Sequence, residues 1–425
     1  MIPVDLTLAF FLLLVILNYR AHRSVLYPPF IFSAMWLLDL LVVRSGLVEL
    51  DPLHGNTLAI VAAGAASFSV GGLLAGLVPR EMFHIHLFPP EPERTSEFLR
   101  KSLMIVLLLG MPVLFYQTWK LSASQGGGLN ILAQARLEMV EAAQGGEPIR
   151  SFVLERFTSI AITVSLLFST GKKDRTFWVV TAIALFACIL TTGRTSLLLL
   201  ISGLGAILLI QRKEESLLGA MRLLRWPIAL FFALYIGLIF TNKNTEGVTG
   251  GAIGVATILV LSYIACPLAA FDRVVQSPAD FVSTASHTFQ FPLHLAAVLH
   301  LVENYTKPPL LDSFVLVPFP TNVYTVFKFY FLEVGTFGTI VILFSIGLLH
   351  SLLYLKARQG GRFSMFLFAI SIYSVLIVIF DDAYFDTAIY LRAIGFGLLF
   401  FLIGSVPLRL FPANKQGHLA SQTGQ

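Results

Sequence analysis

The chain has 425 residues, of which 56% are hydrophobic and only 12% charged, with a formal net charge of +5. A soluble domain carries roughly 25% charged residues, so this composition excludes an ordinary soluble enzyme and points to an all-α polytopic membrane protein. The basic residues are spread through loops and form no single patch, which argues against a nucleic-acid partner.

The first residues, Met1-Ile-Pro-Val-Asp5, carry no basic segment ahead of the apolar run, and Arg20 and Arg23 follow it. That order is the reverse of a cleavable signal peptide and predicts a retained first span that starts outside. Apolar runs predict eleven transmembrane helices, near 4–19, 27–43, 57–78, 102–118, 151–170, 177–192, 195–210, 223–241, 326–355, 363–380 and 386–406. One set of short connections holds most of the 29 basic residues: Arg20/Arg23, Arg80/Arg94/Arg100/Lys101, Lys172/Lys173/Arg175, Arg212/Lys213/Arg222/Arg225, Lys356/Arg358/Arg362 and Arg409/Lys415. By the positive-inside rule that set is cytoplasmic, with the amino end outside and the carboxyl end inside. The membrane domain then covers 1–411, and the polar tail 412–425 is expected to be disordered.

The apolar stretch 252–271 does not fit this alternation. Counted as a span, it would reverse the sidedness of every later basic loop unless 291–302, which contains Pro292, also crossed. It is therefore read as a helix lying at, or re-entering from, the outer face and interrupted near Pro267, with twelve spans as the alternative. Two outer loops stand out by length. The first, 119–150, has an amphipathic pattern over 129–144 suited to a membrane surface, and the second covers 242–325.

Arg194 is the only charge between 177 and 210, in Thr191-Thr-Gly-Arg-Thr-Ser196. A single helix of that length would measure ~50 Å against a ~30 Å hydrocarbon core. Folding at Gly193 gives two short spans with the guanidinium at the tip, whereas leaving it mid-membrane would cost ~2.5–3.5 kcal/mol or more. Two readings stand side by side: an anchor that snorkels to water, or a ligand for a phosphorylated, lipid-borne substrate. Arg44, Arg136, Arg150, Arg156, Arg273 and Arg392 are also outer arginines. Each suits bidentate phosphate binding, or pairs with a nearby acid such as Glu155, Asp272 or Asp386.

Glu333 is the only acid in 326–355, and Gly335 and Gly338 are expected to make room beside it. A carboxylate near the outer surface suits a general base or a partner for an arginine. Pairing with Lys328, five residues earlier, would put the two on different helix faces. Asp381-Asp382, with Asp386, reads as a solvated turn in preference to a metal site. His287, His294 and His300 lack the HExxH spacing of a zinc site, though His294 or His300 suits a base. Cys188 and Cys266 sit in apolar segments with no paired spacing, so no metal, cofactor or disulfide framework is expected. No matched pair of interrupted spans marks a secondary transporter.

Taken together, Thr-Thr-Gly-Arg-Thr-Ser, Ser262-Tyr-Ile-Ala-Cys-Pro-Leu-Ala-Ala-Phe-Asp272 and Thr321-Asn-Val-Tyr-Thr with Glu333-Val-Gly resemble Wzy-type O-antigen (oligosaccharide repeat-unit) polymerases. The resemblance covers most of the chain. It implies a GT-C-like glycosyltransferase of the bacterial inner membrane, with its active site facing the periplasm. The activity implied is transfer of a growing glycan from undecaprenyl pyrophosphate to the non-reducing end of another lipid-linked repeat unit. On that likeness Arg194 and Arg273, with Arg136, would hold the pyrophosphate. Glu333, where Asp-Phe-Gly is expected, and His300 would serve as catalytic groups, and Tyr263, Asn322, Tyr324 and Thr325 would line the glycan site. The partners implied are undecaprenyl pyrophosphate-linked oligosaccharide and membrane lipid, with a chain-length regulator protein as a further partner that the likeness admits. An O-antigen ligase and a flippase of lipid-linked oligosaccharide are the competing readings.

Overall fold

The computed structural model describes residues 3–79, 93–124, 152–191, 194–239, 252–281, 286–303, 305–306, 312–385 and 387–405. Among these residues the chain forms thirteen α-helices: α1 (Val4–His22), α2 (Pro28–Ser45), α3 (Gly55–Ala75), α4 (Glu93–Ser124), α5 (Phe152–Ser169), α6 (Arg175–Leu190), α7 (Arg194–Arg212), α8 (Leu217–Ile239), α9 (Ala252–Gln276), α10 (Gln290–Val298), α11 (Phe327–Arg358), α12 (Arg362–Leu376) and α13 (Thr387–Ser405). A short antiparallel hairpin, β1 (Val315–Leu316) and β2 (Pro320–Thr321), pairs Val315 with Thr321 and Leu316 with Pro320. Each of the eleven apolar runs coincides with a helix. Six of them (α1, α2, α3, α4, α7 and α11) are long and apolar enough to cross a membrane, and α6, α12 and α13 are shorter apolar helices.

The centre of the bundle is the pair α3 and α11, which make the most extensive helix contact among the described residues. Gly64 faces Phe327 and Leu343, Phe68 faces Gly347, and Gly72 faces Ser351, so the two helices run parallel. A Cβ at Gly71 would overlap the Phe344 carbonyl oxygen, and one at Gly347 would overlap that of Phe68. Glycine at these positions lets the two backbones touch, the device by which helices associate where lipid supplies no hydrophobic drive. Around this seam Tyr27, Phe32, Trp36, Phe271 and Phe327 are wholly buried.

Polar ties divide the bundle into two ends. At one, Arg358 pairs with Glu215, the Val25 N–H donates to the Glu215 carbonyl at 3.2 Å, and Arg100 reaches Asp174 at 2.7 Å and the Lys172 carbonyl at 2.9 Å. Asp174 also caps α6 by accepting from the Phe177 N–H at 2.9 Å. The described parts of the short basic connections after α1, α5, α7 and α11, with the start of α4, thus lie at this end, while Arg80, Arg409 and Lys415 lie outside the described residues. At the opposite end Arg44 meets Asp5 at 2.6 Å and Arg273 meets Asp51 at 2.6 Å. The Val326 N–H donates to the Val378 carbonyl at 3.0 Å and so fixes the start of α11.

Four expectations are corrected. Helix α4 continues to Ser124, so the first long connection starts later than 119, while Arg136, Arg150 and the amphipathic stretch 129–144 lie outside the described residues, as does the tail 412–425. Helix α12 stops at Leu376 and 377–380 forms a turn, because the Val378 carbonyl is taken by α11. Helix α9 is not interrupted at Pro267: Ala265 to Asp272 are all buried, and packing on α2, α3 and α11 holds the helix across the hydrogen bond the proline removes. Conversely α11 is broken, at Gly335, whose φ of 69° and ψ of −176° no helix contains. Nothing crowds a Cβ there, so Gly335 supplies a left-handed backbone and not packing space; Gly338 gives room only to Val334 of its own chain.

The seam predicts a contrast between glycines. Gly71→Ala should lower the thermal unfolding temperature of the detergent-solubilised protein, by the equivalent of about 1–3 kcal/mol or more, because one methyl group meets backbone that cannot yield. Gly395→Ala, where a Cβ has nothing within 4 Å, should leave it unchanged. Equal melting of the two variants would contradict the packing described.

Candidate functional site

The end opposite the basic loops carries two polar constellations. The first joins the start of α3 to the end of α9. Asp272, 6% exposed, accepts the His54 backbone N–H at 3.0 Å and the Thr57 hydroxyl at 2.5 Å, and its second oxygen lies 2.8 Å from His54 Nδ1. The His54 ring itself is half exposed. One residue on, Arg273 turns away from Asp272 and pairs with Asp51 at the surface. Glu49, Asp51, Asp272 and Arg273, with Leu316 and Pro318 of the hairpin, line a pocket of about 490 Å³.

The second constellation surrounds the short first arm of α11. Lys328, 2% exposed, is held by Asp312 at 2.9 Å and lies 3.7 Å above the centre of the Tyr324 ring, an ion pair and a cation–π contact on one ammonium. Glu333 sits two residues before the break. Its Oε2 accepts the Ser286 hydroxyl at 2.6 Å, and its Oε1 accepts the backbone N–H groups of His287 at 2.7 Å and Thr288 at 3.3 Å. The His287 ring stacks on Phe329, with centroids 3.8 Å apart and planes at 17°. Burial holds the His287 imidazole below its ordinary range, partly offset by the carboxylates of Asp312 and Glu333, so the neutral form is favoured.

These positions revise the sequence expectations. Glu333 is not open as a base: among the described residues both its oxygens are taken in tying the 286–288 turn to α11. Tyr324 and Thr325 are 3% and 1% exposed, and the Tyr324 hydroxyl donates to the Ser313 carbonyl at 3.0 Å. Neither presents a surface to a glycan, because both support the Lys328 pocket. Asn322 and Tyr263 are half-buried. His300 ends α10 with a left-handed φ of 57° and shares with His294, Glu303 and Tyr305 a separate open pocket of about 640 Å³, apart from Glu333 and Arg273. Arg273 lies in the first pocket, with Asp51 and not its neighbour Asp272 as partner. Arg194 begins α7 at this same end of the bundle, and its side chain lies outside those described, like all of Arg136.

The turn after α12 leaves Asp381 exposed, as a solvated turn would, with Asp382 half-buried. Asp381 accepts the Asp382 N–H at 2.8 Å, and Asp382 accepts the Tyr384 N–H at 2.9 Å. Among the described residues no three His, Cys, Asp or Glu side chains are grouped as a metal would require.

The pairs that matter most escaped the sequence reading. His54 stands in Asp51-Pro-Leu-His-Gly at the mouth of an apolar run, a local signal, but its partner Asp272 is 218 residues away. Lys328 and Asp312 were separable from Glu333 only by helix phase. Compared with protein-family models, curated proteins and solved structures, the chain matches none of them.

Burial pushes the Asp382 carboxyl up to about 7, against about 3.9 in an unfolded chain. The folded state therefore binds this proton more tightly. Its contribution to stability is complete below pH ~4 and is lost as pH rises through ~7. The melting temperature of the wild type should fall between pH 5 and pH 8, and Asp382→Asn should flatten that slope. An unchanged slope in the variant would contradict the desolvation of this carboxyl.

Proposed function

We propose that this chain is a glycosyltransferase of GT-C-like architecture with eleven membrane spans. It polymerises lipid-linked oligosaccharide repeat units at the outer face of a bacterial inner membrane. The growing glycan leaves undecaprenyl pyrophosphate and joins the non-reducing end of a fresh lipid-linked unit. The observation that carries this reading is the position of Arg273 and of the start of α7 at Arg194. Both stand at the bundle end opposite the gathered basic loops, where a pyrophosphate headgroup would meet the protein. The described parts of the three sequence motifs that resemble repeat-unit polymerases fall at the same end: Thr191 with the start of α7, the end of α9 and the start of α11.

The chemistry suits these groups. Glycosyl transfer from a diphosphate lipid needs positive charge where the leaving group develops its own, and preorganised arginines supply it. The Arg273–Asp51 pair is exposed on both sides, so the carboxylate is held weakly and a diphosphate can take its place. The pocket beside it suits a polar glycan, while the apolar flanks of the bundle suit prenyl tails.

Deletion should leave single repeat units on the lipid core, and the wild-type gene should restore long chains. Loss of all attachment with lipid-linked polymer accumulating would point to a ligase, and units trapped on the cytoplasmic face to a flippase. Arg194→Ala should abolish the long-chain ladder in the complemented strain with the protein still inserted. Arg194→Lys should recover little of it if the contact is bidentate. A normal ladder from Arg194→Ala would overturn the assignment of this residue.

A further inference from the structure

We propose that His54 is the general base of the transfer, oriented by Asp272; this inference rests on the polymerase reading above. Asp272 is enclosed and receives three protein donors, two of them from His54 itself. One carboxylate oxygen grips the backbone at residue 54 and the Thr57 hydroxyl, and the other faces Nδ1. The imidazole is thus fixed at main chain and ring together. A carboxylate at 2.8 Å favours the tautomer with the proton on Nδ1, which leaves Nε2 of a half-exposed ring to accept one. A buried acid behind a half-exposed histidine is the arrangement a base needs, and Asp272 also stabilises the imidazolium once formed. Glu333 and His300, the acid and histidine that the sequence favours, have no such support: the first is consumed by a turn, and the second stands on a helix end in another pocket.

The neighbours agree with this role. Glu49 and Asp51 come from the α2–α3 connection, Asp272 and Arg273 from α9, and the hairpin contributes only Leu316, Val317 and Pro318 to the pocket. Arg273 follows Asp272 in the chain, so the cation for a diphosphate and the base for a hydroxyl are fixed by adjacent residues of one helix. In the step, the acceptor hydroxyl gives its proton to His54 Nε2 as its oxygen bonds the donor's anomeric carbon. The bond from that carbon to the diphosphate oxygen breaks with its electron pair leaving on the diphosphate, beside Arg273. The proton then passes from His54 to water, and the histidine is restored. Asp272 and Thr57 are positioning residues.

The test uses full-length protein in liposomes and, as probe, the lipid-linked repeat unit extracted from the deletion strain. His54→Gln should reduce the elongation rate roughly 10²–10⁴-fold with little change in KM, and the acid limb of the wild-type pH–rate profile should vanish with it. Asp272→Asn, which keeps the shape but removes the charge that orients the ring, should lower kcat by ~10²–10⁴-fold with little change in KM. A merely structural His54–Asp272 link would change melting temperature but leave the limb in place. His54→Gln elongating within about threefold of wild type, or retaining the limb, would overturn the inference while leaving the polymerase reading intact. A wild-type profile with no acid limb does the same without any variant. Failure of the wild type to elongate the probe would overturn both.

Discussion

The approach of α3 to α11 at backbone distance is the constraint from which the rest of the arrangement follows. In lipid, two apolar helices gain nothing by exchanging lipid contact for helix contact unless they pack closely, and glycines on both sides permit this. Because the two run parallel, their amino ends emerge at the same face. One brings His54 and Thr57 and the other Phe327, Lys328 and Glu333. The left-handed residue at Gly335 then lets the first arm of α11 take a direction of its own.

Charges at that face fall into two kinds. Asp272 and Lys328 are buried, and each has several partners: three groups, two of His54 and one of Thr57, hold the acid, while a carboxylate and an aromatic ring hold the ammonium. Removing a partner from such a group strands a charge in a poor solvent, so these contacts fix geometry. Arg273–Asp51 and Arg44–Asp5 are exposed pairs, worth little in stability and easily exchanged. The proposed transfer would use both kinds, a rigid frame for the base and a weakly held cation that can exchange its carboxylate for a leaving group.

Much of this fold was legible in the sequence because lipid imposes a length on every apolar run. Each of the eleven predicted helices is present within several residues, and the alternating basic loops mark one end of the bundle. Where sequence reasoning failed, the determining contact was distant or purely conformational. Pro267 reads as a break, yet neighbours that no local window contains keep α9 whole. Gly335 reads as packing space, yet its role is a backbone angle. Glu333 reads as a free acid because its donors at 286–288 lie 45 or more residues earlier in the chain. Arg273 was found as an outer arginine, but its partner was assigned to the adjacent Asp272, whereas the chain folds Asp51 onto it. His54 carried a local hint and was missed because histidine becomes informative only beside its carboxylate.

The proposed glycan transfer would need nothing beyond the protein and its lipid-linked unit, since a diphosphate-linked donor bond is already activated. The most direct measurement is therefore reconstitution of the purified wild-type chain in liposomes with that unit alone, without nucleotide sugar and without lipid A core, followed by electrophoresis of the lipid-linked products. The account predicts a ladder spaced by one repeat unit that lengthens with time, with undecaprenyl diphosphate released for each bond formed. Unchanged single units under these conditions, with elongation or transfer only when lipid A core is added, would contradict it.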